Sequence, residues 1–173
     1  MFRIVPTIIG AALCAVAVPA CAHVTLDTPQ AAALAYQRLA IRVPHGCEGA
    51  ATTAIRMQVP EGVTAVKPMP KPGWSLSVVT DPSGPGAGGH EETPPVREVA
   101  WRADAGHALA DAFFDEFVLR VRMPDVAGQT VWFPFVQECE GGKVSRWIER
   151  PASGQGYDDL ARPAYPVRIV PRR

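Results

Sequence analysis

Phe117-Val118-Leu119-Arg120-Val121-Arg122-Met123 reads as a β-strand with no other information about the chain. Phe117, Leu119, Val121 and Met123 take every second place, two arginines fall between them, and Pro124 ends the run. Period-two alternation puts one set of side chains on each face of an extended segment, the mark of a half-buried strand. The same pattern recurs on both sides. Leu39, Ile41 and Val43 alternate with Ala40 and Arg42 up to Pro44, and Thr53, Ile55, Met57 and Val59 alternate with Ala54, Arg56 and Gln58 up to Pro60. Trp74, Leu76 and Val78 alternate with serines, while Val131–Cys139 and Val144–Glu149 flank Glu140-Gly141-Gly142-Lys143, a hairpin signal. Gly106–Phe114 is long enough for one short helix, and no stretch carries a long amphipathic one. Many short strands separated by the 18 prolines and 15 glycines predict an all-β chain folded as a single β-sandwich.

Outside these strands the chain has a leader, an insert and a tail. Residues 1–22 have Arg3 near the start, an apolar run from Ile4 to Val18, and the small-residue pattern Ala20-Cys21-Ala22, which predicts a signal peptide cleaved after Ala22. A competing reading is a lipoprotein anchored at Cys21, since Val18-Pro19-Ala20-Cys21 loosely resembles a lipidation box. Asp81–Pro95, glycine-rich in its middle, reads as a surface loop. The expected division is signal peptide 1–22, sandwich domain 23–150 and a loosely packed C-terminal extension 151–173.

Removing 22 of the 173 residues leaves 151, the size of one ordinary domain. Arg3 leaves with the leader, so 16 basic residues face 17 acidic ones. That balance argues against nucleic acid as a partner, which calls for a basic excess. GxSxG, HExxH, phosphate-binding glycine loops and CxxC are all absent, which removes the commonest enzyme classes but not metal chemistry.

Of four cysteines, Cys47 and Cys139 remain after cleavage. In an exported chain two cysteines are most simply one disulfide, worth roughly 4 kcal/mol over so long a loop, with thiolate metal ligation as the alternative. Cleavage after Ala22 would also make His23 the first residue. Its α-amine and ring Nδ1 could then chelate one metal ion, and such nitrogens suit Cu(II) best among the first-row divalent ions. The plainer alternative is a frayed terminal histidine. Glu48, next to Cys47 in the turn Val43-Pro44-His45-Gly46-Cys47-Glu48-Gly49, is the candidate carboxylate, against a solvated loop acid. His45, Met69 and His90 are weaker candidates to assist, and His107, Asp111, Asp115 and Glu116 receive no role.

In order along the chain stand His23-Val24-Thr25-Leu26, Arg42–Gly49 with Thr52-Thr53, Val63 and Val66 ahead of Lys67-Pro68-Met69-Pro70-Lys71-Pro72-Gly73-Trp74, and Glu98-Val99-Ala100-Trp101. Phe114-Asp115-Glu116-Phe117, Trp132-Phe133-Pro134-Phe135-Val136-Gln137-Glu138-Cys139 and Trp147-Ile148-Glu149 complete the set. From His23 to about Pro151 this series resembles the YcnI-like family of exported bacterial copper-binding domains. The resemblance implies a sandwich of cupredoxin-like or immunoglobulin-like character holding one copper ion per chain in a single-histidine brace, and a carboxylate–nitrogen donor set favours Cu(II). It implies His23 as the nitrogen donor, Glu48 as the oxygen donor and a tryptophan beside the metal. Trp132 is assigned rather than Trp147 because it heads the Trp-x-x-x-x-Gln strand. The expected function is that of a periplasmic copper-binding protein acting in acquisition, transfer or buffering, with a copper-transfer protein or a membrane copper transporter as expected partner. It is not expected to be an enzyme, since Trp132 beside the ion would limit its open positions. The rivals are a copper-dependent mono-oxygenase, which would need a second histidine, and a metal-free protein-interaction module.

Overall fold

The computed structural model describes residues 23–82 and 94–172. The expected signal peptide, Cys21 and His90 lie outside the described residues. Twelve strands are present among the described residues. They are β1 (Thr25–Leu26), β2 (Gln30–Ala32), β3 (Tyr36–Val43), β4 (Thr52–Gln58), β5 (Thr64–Pro68), β6 (Trp74–Thr80), β7 (Val96–Ala103), β8 (Asp115–Arg122), β9 (Thr130–Phe133), β10 (Phe135–Cys139), β11 (Val144–Trp147) and β12 (Tyr165–Val170). The only helical turns among these residues are two short 3-10 segments, Glu140–Gly142 and Tyr157–Asp159.

One layer is a five-stranded sheet in the order β11-β10-β4-β7-β6. Facing it is a four-stranded sheet, β1-β3-β8-β5, continued by the three-stranded sheet β2-β12-β9. The chain from β1 to β2 joins these two, because β1 pairs with β3 and β2 pairs with β12. β9 then passes through Pro134 into β10 and so ties the second layer to the first.

The alternation read from the sequence is what the core uses. Phe117, Leu119, Val121 and Met123 are buried on one side, with Leu39, Ile41, Val43, Ile55 and Met57 against them. Each such side chain contributes roughly 1.5–3 kcal/mol by leaving water. Trp74 meets the Phe117 ring edge-on at 4.8 Å, and Trp101 lies at 5.7 Å from the same ring. The arginines between the apolar positions point outward and pair across strands, as Arg42 does with Glu116 and Arg102 with Glu138.

Gly106–Phe114, with room for at most a short helix, forms turns, its backbone tied back by Leu109 N–H to Thr52 O and Thr52 N–H to Leu109 O. The paired strands run past residue 150, where the sandwich was expected to end. β12 pairs with β2 on one side and β9 on the other, and Val167 and Ile169 are fully buried, so this strand is part of the core.

Candidate metal centre

Two candidate regions emerge, built in different ways. The first is the turn after β3. Cys47 N–H donates to Ala50 O and Ala50 N–H to Cys47 O, both at 3.0 Å, closing a two-residue turn over Glu48 and Gly49. Both central residues are left-handed, with φ of 50° at Glu48 and 81° at Gly49, as a type I′ turn requires. Glycine takes this freely, whereas a residue with a Cβ costs about 1–2 kcal/mol there. Gly46 is needed for another reason: a Cβ on it would collide with the Ala50 carbonyl oxygen. Cys47 is joined to Cys139, spanning 92 residues, so the expected disulfide is present and neither sulfur is a free thiolate. Buried Gln137 donates through Nε2 to His45 O and Thr52 Oγ1, both at 2.8 Å, and Asp111 accepts from Gly46 N–H at 3.0 Å. The turn is therefore held from three sides. Glu48 itself stays exposed, with Lys143 Nζ 3.8 Å from its carboxylate and donating to its carbonyl at 3.0 Å.

The second region lies where two sheet edges meet. β1 is the edge of its sheet and β11 the edge of the opposite one. His23 stands just ahead of β1, half-buried, with its ring 5.2 Å from that of Trp147 at 63°, an edge contact. Trp147 ends β11 and is 4% exposed, and its indole Nε1–H meets no acceptor among the described residues. Tyr157 approaches the His23 ring at 6.5 Å and stacks on Trp132 at the same distance, tilted by 21°. The result is one row of four rings: Trp147, His23, Tyr157, Trp132. Burial raises the Tyr157 phenol above its ordinary value, with Tyr165 and Asp158 adding to the effect. It therefore stays a neutral phenol at neutral pH.

His23 and Trp132 thus belong to one row, while Glu48 makes its contacts with Lys143. Of the two tryptophans, Trp147 is the one that touches His23, and Trp132 reaches it through Tyr157. Trp147 was legible as an alternative; Tyr157 was not, because it sits in a segment without periodicity. The remaining candidates are dispersed. Met69 is exposed and its carbonyl accepts from Trp101 Nε1, and His107 lies exposed against Gly73. Asp115 and Glu116 pair with Lys71 and Arg42. Among the described residues no three His, Cys, Asp or Glu side chains converge as a metal site. A terminal histidine with a free α-amine would offer two nitrogen donors, amine and imidazole, without a second side chain.

The fold and this edge region define an all-β sandwich domain with an aromatic-walled histidine at its start. The chain belongs to the family described as a domain of unknown function, DUF1775, which matches residues 23–169. It is 26% identical over 142 residues to the copper-binding protein CutI of Bacillus subtilis (strain 168), a match covering 82% of this chain. The chain spans 62% of that relative's length. A solved protein from Nocardia farcinica, reported to have an immunoglobulin-like fold, superposes with a TM-score of 0.68 at 29% identity. That match covers 86% of this chain and 98% of the other. The family resemblance read from the ordered motifs is borne out, and of the two sandwich types expected the immunoglobulin-like one is found.

Proposed function

We propose that this protein is an exported copper-binding protein that captures one Cu(II) at His23 and holds it for transfer or buffering. The observation that carries this reading is His23 itself. It is the first residue of the family match and is seated half-buried against Trp147 and Tyr157 rather than trailing into solvent. The copper named for the Bacillus relative supports the choice of metal. The Cys47–Cys139 disulfide supports a compartment outside the cytoplasm, where such bonds persist. Cleavage after Ala22, into the periplasm, would free the α-amine that the brace requires.

In this reading His23 supplies amine and Nδ1 nitrogens and Glu48 a carboxylate oxygen. Copper is the cargo. The left-handed backbone at Glu48 supports a role there, since strain tolerated at a non-glycine residue concentrates at functional positions. Its exposed pairing with Lys143 is weak and exchangeable. The copper-binding character named for the Bacillus relative supports a binding role over catalysis. A copper-transfer protein or membrane transporter is the corresponding partner.

The test is intact mass and Cu(II) titration of protein taken from the exported fraction. A chain starting at His23 and binding one Cu(II) tightly is expected. A chain starting at an acylated Cys21, or one indifferent to copper, would overturn the proposal.

A further inference from the structure

The segment between β11 and β12 is a closed loop. Ile148 N–H and Glu149 N–H donate to Arg162 O at 3.0 and 3.1 Å, Ala164 N–H donates to Glu149 O at 2.8 Å, and Arg162 N–H reaches the Glu149 carboxylate at 3.0 Å. With its ends tied together in this way, 150–161 is a compact loop of the Ω type. Its tip is ordered locally, by Gly156 N–H to Asp159 Oδ2 at 2.8 Å and Leu160 N–H to Tyr157 O at 3.2 Å. Gly156, Asp158 and Asp159 face solvent, whereas Tyr157 turns inward between His23 and Trp132.

His23 has reason to need such a neighbour. Pairing of β1 with β3 starts at Thr25, two residues further on. A residue ahead of the first paired position frays unless something ties it down. Ordering its backbone costs about 1–2 kcal/mol, and its side-chain rotamers add to that. A chelating residue that is already ordered does not lose that freedom when the ligand arrives, which raises affinity. Trp147 bounds the imidazole from β11, and Tyr157, itself backed by Trp132, bounds it from the loop.

We infer that Tyr157 is a positioning residue, which holds the His23 imidazole in place through its ring face and does not itself bind metal. This rests on the reading of His23 as the copper-binding residue. The role needs a flat ring and no hydroxyl, so phenylalanine should serve.

The experiment compares the mature protein beginning at His23 with its Tyr157→Ala and Tyr157→Phe variants. NMR relaxation of His23 and Val24 is measured without metal, and Cu(II) affinity by competition titration. Tyr157→Ala is expected to leave the sandwich folded, to mobilise His23 in the metal-free protein, and to weaken Cu(II) by about tenfold. Tyr157→Phe should restore both. Should the alanine variant unfold, Tyr157→Leu, which keeps apolar bulk without a ring face, takes its place. An unchanged His23 in the alanine variant would overturn the inference, and so would a phenylalanine variant as weak as alanine. If the parent protein binds no Cu(II), the functional proposal fails, while the metal-free relaxation still decides whether Tyr157 orders His23.

Discussion

The Cys47–Ala50 turn and the ring row around His23 are candidate halves of one site, and they are held by opposite means. The turn is fixed by a disulfide, paired backbone hydrogen bonds and the buried Gln137 amide, yet it carries its acid in the open. His23 sits ahead of the first strand pairing and is bounded by the packing of Trp147 and Tyr157. Covalent and hydrogen-bonded geometry can impose backbone strain, as at Glu48, and leave a side chain free to swing. Ring packing imposes no strain but orders the side chain itself. Under the proposed function, the ordered imidazole would supply the nitrogen donor and the mobile carboxylate the oxygen donor.

The comparison can be broken most forcefully at the amine. One extra residue before His23 should weaken Cu(II) on the order of a thousandfold, by removing the chelate, while the melting temperature stays where it was. Equal affinity would remove His23 from the site. Next in size, replacing Cys47 and Cys139 by serine should cost roughly 4–5 kcal/mol of stability in the chain-entropy treatment, read by denaturant titration. At temperatures where that variant is still folded, the His23–Trp147 contact should survive, because none of its residues belongs to the turn.

The two tryptophans separate optically. Trp147→Phe should abolish most of any emission change on adding Cu(II), because Trp147 touches His23, and Trp132→Phe should remove less. The reverse ranking would restore Trp132 as the ring beside the metal. Glu48→Gly should stabilise the fold by about 1 kcal/mol through relief of its left-handed backbone, yet weaken Cu(II). Stabilisation without loss of copper would reduce Glu48 to a turn residue.

The smallest effect lies at high pH. Burial raises the Tyr165 phenol, with Arg42 opposing and Asp27 adding, as it raises that of Tyr157. A folded-state value above the unfolded one contributes stability that is complete below about pH 10 and is lost as pH climbs through the folded value. Melting temperature should therefore fall above about pH 10, and less steeply in Tyr165→Phe.

Much of this was legible in the sequence. The strands of the core announce themselves because burial on one face forces period-two alternation, as at Phe117–Met123. The disulfide was legible because two cysteines, Cys47 and Cys139, lie outside the expected leader, and the turn because glycines at 46 and 49 meet demands no other residue meets easily. β12 was obscured although Tyr165, Val167 and Ile169 alternate, because Pro163, Pro166 and Pro171 punctuate the segment and proline within a run argues against a paired strand.

What the sequence determined by itself is therefore what local periodicity and residue chemistry carry: an all-β sandwich, its disulfide, and a histidine able to chelate if it is terminal. Only the tertiary structure decided which rings that histidine meets. Trp147 lies 124 residues beyond His23 and Tyr157 lies 134 beyond it, on an edge strand and a closed loop. No repeat or spacing links such positions. Their meeting results from two sheets closing over a common core, which brings β1 and β11 to the same open edge and leaves the loop after β11 to cover it.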